Sequence, residues 1–461
     1  MRARLPLVLA ISLILFVCGF LWSRAPLRSL AEYDQPFYVG IAYDLRNWGR
    51  FTDGFLFAGT DAEKPRPPGM RFAPLYPALV AVTAARDGSF ADAIECVVGS
   101  SGRDPGCARM ASLIRWLQFM MLVAFYALVW WIAGAVLGTP RAGWVALAFA
   151  LMTAPFLLRF VNLVMTEMTA LLLLTSAIGA GVAARRGAPL PWLLVAGVCL
   201  GLTALTRPAF LYLALAAALV GLAVALWDER RWQKLPLLLA FLAGIAAVVV
   251  PWITRNAVVL GRPALTYGYD SHTLAQRVAY DRMSWREYGL FYVCGLPDGV
   301  GLAQRLFGRD ACSPFSWDPK EKGSYYNVGN GAFMDETVAA AGGWQHHLSY
   351  LVRNYVLASP LTHLLVTVPF ALAGAWVNNY WGLILGILCA VLTIRAVRRN
   401  DLGLLIVTLP GWFMLLFHAG VAINQDRYNL ILILPYAISG AWLVERVLGR
   451  SSGALGRRLA G

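Results

Sequence analysis

Two acids open the first polar stretch of this chain, Glu32 and Asp34 in the run AEYDQPFYVGIAYDL at 31–45. They follow directly on an apolar segment over about residues 5–22. Further ionisable residues fall at the ends of later apolar segments: Arg159, Glu167, Arg207, Arg255, Asp426 and Arg427. Arg71 joins them from the first polar loop. A charge inside a bilayer costs on the order of several kcal/mol unless paired or solvated, so where charges sit carries information. These residues avoid the middles of the apolar segments and gather at one membrane surface.

Arginine offers a planar fork of donors that matches phosphate oxygens. A carboxylate near several arginines is held in its charged form, able to accept a proton from a hydroxyl or to orient it. The combination suits a phosphorylated lipid as leaving group with an acceptor held over the same site. Each arginine also has a plainer reading, as an interfacial anchor or a loop ion pair. So does Asp34, because a carboxylate at a helix N-terminus is favoured by the dipole alone.

The elements that must position these residues follow from hydropathy. Of 461 residues, 59% are hydrophobic and only 14% charged, with mean hydropathy +0.61; soluble domains carry about a quarter charged residues. Apolar runs of spanning length recur, near 5–22, 110–133, 143–158, 167–183, 191–206, 209–226, 235–252, 378–395, 402–419 and 429–447. The expectation is an all-α multi-pass membrane protein with about ten crossings, give or take two. The stretch 356–376 reads as re-entrant or interfacial, because a full crossing there would put the basic run RAVRRN on the wrong side.

Two long polar loops, 23–108 and 253–357, divide the chain into a membrane module at 1–252, an acceptor-side loop at 253–357 and C-terminal helices at 358–461. In the first loop, Phe37, Ile41, Leu45 and Trp48 recur at helical spacing, Pro36 suits a first turn and Gly49 a stop. An amphipathic helix lying on the outer surface is expected there. In the second, SHTLAQRVAYDRMSWREYGL reads as a partly amphipathic helix over the site, with His272, Tyr280, His346 and His347 as candidates for reading an acceptor.

The net charge of +14 does not point to nucleic acid. Basic residues concentrate in short connections (Arg141; Arg185 and Arg186; Arg230, Arg231 and Lys234; Arg395, Arg398 and Arg399; Arg446 and Arg450) as the positive-inside rule requires. Cys18, Cys199 and Cys389 fall in apolar segments. Cys96, Cys107, Cys294 and Cys312 fall in the outer loops, where an oxidising compartment favours the pairs Cys96–Cys107 and Cys294–Cys312 over four reduced thiols.

Six motifs, in order, resemble the type C membrane glycosyltransferases, in the branch of the protein mannosyltransferases and aminoarabinose transferases. EYDQPFYVGIAYDL is similar to their DEPYYVGIA pattern, and MRFAPLYPALVAV to the PPLYP element of the same loop. MTEMTALLLLTSAI, LGLTALTRPAFLYL, VVVPWITRNAVVLGRPALTYG and NQDRYNLILILPYA resemble, in turn, their TE helix start, LTRP turn, PW-IRN stretch and RY segment. Together they cover residues 31 to about 437.

The resemblance implies a multi-span core, a catalytic acid in the first outer loop, and a polyprenyl-phosphate sugar donor. It places the catalytic aspartate at Asp34 and donor-phosphate contacts at Arg207 and Arg255, with Arg71 and Arg427 matching or flanking such positions. Glu167 is the TE acid, and Tyr38 and Tyr76 fall where a donor or acceptor pocket would be lined. The family often has Asp-Glu where this chain has Asp34-Gln35; Glu32 is the nearest other acid. No cofactor and no metal are implied, and the partners are the lipid-linked donor, an acceptor and membrane lipids. The setting implied is the periplasmic face of a bacterial inner membrane. Rival readings are an outer-leaflet polysaccharide polymerase or ligase with a pyrophosphate-linked donor, favoured by Arg277, Arg282, Arg286, Arg305 and Arg309 in the long loop, and a transporter.

Overall fold

A computed structural model describes residues 4–26, 28–59, 64–102, 112–227 and 231–459. Among them no β-strand forms; one isolated bridge joins Thr52 to Pro68. Seven helices are long and apolar enough to cross a membrane, or nine if each of two bent pairs is one crossing. The chain is an all-helical, multi-pass membrane protein.

Three of the expected crossings change form; the one near 209–226 is the shorter apolar helix Phe210–Leu226. The segment expected as one span near 143–158 is two helices, Pro140–Leu151 and Ala154–Val161, bent by 63°. Pro155 lies in the first turn of the second; a proline there disfavours continuing the preceding helix. The Pro189–Ala204 helix has 16 residues, about 24 Å at 1.5 Å per residue, short of a hydrocarbon core of about 30 Å. Near 356–376, helices Trp344–Val356 and Pro360–Ala375 meet at 97°, a bend that a re-entrant segment and a broken crossing share.

The residues group into two compact units, each discontinuous along the chain. The first comprises Met1–Thr266, Leu388–Thr408 and Ile433–Gly461; the second comprises Tyr267–Ile387 and Leu409–Leu432.

In the first unit, the Arg4–Trp22 helix packs on Ser112–Leu137. The helix expected on the outer surface forms as Gln35–Trp48, closed by Gly49 at φ 59°. It is more deeply seated than expected. Gln35, Pro36, Val39, Gly40, Ile41, Ala42 and Asp44 are all buried, against helices Leu75–Ala84 and Gly88–Gly99. The physical reason is that the first loop carries enough apolar helix to make its own small core, with Leu30, Val39, Phe55, Tyr76, Val80, Phe90 and Ile94 at its centre. The Pro189–Ala204 helix lies hard against Arg231–Leu260: a Cβ on Gly244 would fall 2.8 Å from the Val198 nitrogen, and one on Gly197 would strike the backbone at Phe241. Small residues permit this backbone approach in membrane helix pairs.

In the second unit, the helix expected over 271–290 breaks into Tyr269–Ala279 and Trp285–Cys294. Ser284 caps the second piece in a reciprocal capping box with Glu287, and that cap starts a new helix. Cys294 and Cys312 are joined by a disulfide. Arg277, fully buried, donates to the Ala419 and His363 carbonyls, to the Thr367 hydroxyl and to Asp281 at 2.7 Å. Asp281 also meets His363 Nδ1 at 2.7 Å. Arg277 therefore ties helices together and is withdrawn from the arginine-rich loop surface that the polymerase reading draws on.

Candidate functional site

Asp34 is the N-cap residue of the Gln35–Trp48 helix, and its side chain makes no capping hydrogen bond there. The capping explanation for an acid at this point therefore lacks its usual contact, while the helix dipole still favours a carboxylate there. Tyr33, immediately before it, sits at φ 57°, a left-handed conformation that costs a non-glycine residue about 1 kcal/mol or more.

The turn is held from behind by Gln35. Its side-chain amide donates to the Ser29 carbonyl at 2.7 Å and the Glu32 carbonyl at 3.0 Å, and its oxygen accepts from the Val164 N–H at 2.8 Å. Both amide hydrogens and the oxygen thus go to backbone groups, and the side chain is buried. Glu32 faces its own turn, within 3.6 Å of Arg28 and accepting from the Ser29 N–H. Gln35 carries no charge, and the Glu32 carboxylate is engaged by Arg28 and the Ser29 N–H.

Around Asp34 the first unit collects side chains from four sequence motifs. The Tyr38 hydroxyl hydrogen-bonds Thr166 and lies in the field of Asp34, Glu167 and Arg207; burial first, then the two acids, raise its pKa above the ordinary tyrosine value. Arg207 Nη1 stands 3.7 Å from Glu167 Oε1, with Glu167 2% and Arg207 18% exposed. Tyr38 and Tyr76 pack edge to face, 5.3 Å between centroids. Tyr76, fully buried, donates to Gln118 at 3.1 Å, and Gln118 donates to the Val161 and Leu163 carbonyls. The Leu75 N–H reaches the Leu205 carbonyl at 2.9 Å, which fastens the PLYP helix to the LTRP turn.

Arg71 lies in the adjoining 51–72 loop, and Arg255, on the Arg231–Leu260 helix, reaches into it. Arg255 donates to the carbonyls of Gly69 at 2.7 Å and Phe51 at 3.0 Å, and its guanidinium lies 4.9 Å from the Trp252 ring. Its position is that of a clasp across both arms of the loop. Arg71 stacks over Phe57 at 4.1 Å, and its backbone N–H donates to Asp53 at 2.8 Å. Arg159 is exposed at the end of Ala154–Val161 and does not join the cluster.

Sequence reading missed the ties that hold this loop. Asp44 and Arg66, both buried, form an ion pair at 2.5 Å, and Thr52 donates to the same carboxylate. Asn162 accepts from Trp22 at 3.0 Å and Arg115 at 3.1 Å. The one signal in sequence was an aspartate on the apolar face of an otherwise amphipathic helix.

The remaining candidates lie elsewhere. Arg427 and Asp426 are in the second unit, where Arg427 Nε donates to Gln425 at 2.5 Å. His347 is buried, bonded to Thr337 at 2.9 Å, and serves a helix contact; His346 is exposed, and His272 meets Gln276 at 3.1 Å. Tyr280 forms part of the floor of a cavity of about 610 Å³ in the second unit, with Phe291, Phe370 and the Cys294–Cys312 disulfide in its wall and Asp298, Arg309 and Glu321 also lining it. Cys96 is disulfide-bonded; Cys107 lies outside the described residues. Cys18, Cys199 and Cys389 are not disulfide-bonded. Among the described residues no group of three or more His, Cys, Asp or Glu could hold a metal ion.

No protein-family profile matches the chain, and no curated protein does. Among solved structures, it is similar to the crystal structure of ArnT from Cupriavidus metallidurans bound to undecaprenyl phosphate. The two are 15% identical over 95% of this chain and 77% of that one, with a TM-score of 0.40. A likeness at this level carries no functional argument.

Proposed function

We propose that the protein is a type C membrane glycosyltransferase, which moves a sugar from a polyprenyl-phosphate donor to an acceptor hydroxyl at the periplasmic face of the inner membrane. The observation that carries this reading is the cluster of Asp34, Tyr38, Glu167 and Arg207, drawn from motifs 129 or more residues apart in part and gathered at helix ends. Asp34 takes the proton of the acceptor hydroxyl as its oxygen attacks the anomeric carbon. The bond from that carbon to the phosphate oxygen breaks, and polyprenyl phosphate leaves as an anion. Arg207 receives the developing charge on the phosphate, and Glu167 orients the guanidinium. Asp34 then returns its proton to solvent. Arg255 and Arg71 contribute by shaping and charging the loop beside the phosphate.

The test is release of free polyprenyl phosphate from a panel of polyprenyl-phosphate sugars by the reconstituted protein, with envelope extract as acceptor. Consumption of one donor, with a loss of about a hundredfold or more in Asp34→Asn, is the expected result. If the Asn variant matches wild type, Asp34 is not the base. If no monophosphate donor is consumed, pyrophosphate-linked oligosaccharides are the next substrates to try.

A further inference from the structure

At the other end of the first unit, four arginines converge on one small cavity. Arg395, Arg398 and Arg399, at the end of the Tyr380–Arg398 helix and just beyond it, meet Arg446 of the C-terminal helix around a space of about 380 Å³. Trp442 stands between them, its ring 5.9 Å from the Arg395 guanidinium and 5.1 Å from that of Arg446. The remaining wall is apolar: Val391 and Ile394, 49% and 54% exposed.

This end is far from the Asp34 cluster. Glu167 begins an 18-residue helix about 27 Å long. Arg185, just past its far end, pairs with Asp401 at 3.9 Å, two residues after Arg399. The helix therefore separates the two places by its whole length.

Among the described residues lining the cavity there is no acid. The two acids close by in sequence are engaged elsewhere. Glu445, next to Arg446, accepts both forks of Arg141 at 2.7 and 2.8 Å. Asp401 pairs with Arg185 and accepts from the Gly403 and Leu404 N–H groups. Topology alone asks for basic residues at such an end, but it does not ask that four of them share one cavity. Guanidinium forks match phosphate oxygens, and basic pockets between membrane helices hold phospholipid headgroups.

We propose that this cavity binds the phosphate headgroup of an anionic phospholipid, from the leaflet opposite the Asp34 cluster. The arginines hold the phosphate, Trp442 lies at the level of the headgroup, and an acyl chain runs along Val391 and Ile394. The shared chemistry is a phosphate anion, which a lipid or free phosphate could supply; the exposed apolar wall leading away from the arginines favours the lipid. The proposal is independent of the transferase reading.

The experiment is native mass spectrometry of the full chain, delipidated in detergent and titrated separately with phosphatidylglycerol, cardiolipin, phosphatidylcholine and inorganic phosphate. Wild type is expected to take up one anionic phospholipid in preference to phosphatidylcholine. The variant Arg398→Gln/Arg399→Gln/Arg446→Gln should bind the anionic lipid about a hundredfold more weakly, from three lost charges, with phosphatidylcholine uptake unchanged. Each single Gln variant should lose about fivefold, which keeps the test available if the triple variant misfolds. Equal uptake of anionic and zwitterionic lipid, or unchanged anionic binding in the variants, overturns the proposal. Binding of inorganic phosphate with no added preference for lipid overturns the lipid assignment.

Discussion

Gln35 is the residue at which this chain departs from the Asp-Glu pattern it otherwise resembles, and its three hydrogen bonds give a physical account of the departure. The Ser29 and Glu32 carbonyls it serves need donors, which an ionised carboxylate lacks. Gln35→Glu is therefore expected to lower thermal stability in detergent, by about 1–3 kcal/mol for the groups left unsatisfied; an unchanged melting temperature would remove the clamp role. Glu167 is a positioning residue for Arg207 in the same reading. Glu167→Gln should raise KM for the donor about tenfold or more, the loss expected of a weakened charged contact, with the pH profile left in place. Donor-concentration series at several pH values separate that outcome from a loss of the base. Tyr33 presents a third test: Tyr33→Gly removes the left-handed strain before Asp34 and should stabilise the fold by up to about 1 kcal/mol, measured by thermal unfolding.

Two elements set the position of the cluster. The Gln35–Trp48 helix is anchored at one end by Gln35 and further along by Asp44, whose pairing with Arg66 is almost wholly shielded from water. Removing one partner leaves a buried charge, so Asp44→Ala should cost about 3–5 kcal/mol and reduce folded yield far more than Glu32→Ala, whose partner is solvent-exposed. The neighbouring Gly88–Gly99 helix carries a pH-sensitive cap. The Ser89 hydroxyl, with the Leu113 and Phe90 N–H groups, holds the Asp87 carboxyl below the usual carboxylate range. The folded state thus binds this proton more weakly than the unfolded chain. Its contribution is complete above the ordinary carboxylate pKa and is lost as pH falls through the lowered value. Protection of the 88–99 amides against exchange, after division by the intrinsic rate at each pH, should fall on acidification in wild type, and much less in Asp87→Ala.

At the scale of the whole molecule, the Cys294–Cys312 link is of a kind that an oxidising compartment favours and closes a loop of 18 residues in sequence. By the chain-entropy relation its loss costs about 3 kcal/mol. Cys294→Ser/Cys312→Ser should melt at lower temperature, and labelling of single cysteines introduced near 33 and near 398 from either side of sealed vesicles should place them on opposite faces. Labelling of both from one side would contradict the topology on which the Asp34 site and the four-arginine cavity are assigned to different leaflets.

Hydropathy alone was enough for the membrane class and the helical fold, because a bilayer leaves the backbone few other ways to satisfy itself. Motif order was enough to nominate Asp34, Glu167, Tyr76 and Arg207 as candidates, because each sits beside a local punctuation mark, a proline or a helix start. The number and form of the crossings was not legible: the break at Pro155 and the short Pro189–Ala204 helix depend on neighbours that hydropathy does not see. Nor were the partners of Gln35, Asp44 and Arg277, since a buried polar side chain is recognisable only by the distant backbone or charge that satisfies it. Tertiary structure decided that Asp34 and Glu167 both act on Tyr38, and it turned Gln35 from a candidate ligand contact into the clamp behind the turn. The physical reason is that hydrogen bonds across 129 residues, like that from Val164 to Gln35, leave no periodic trace in the sequence.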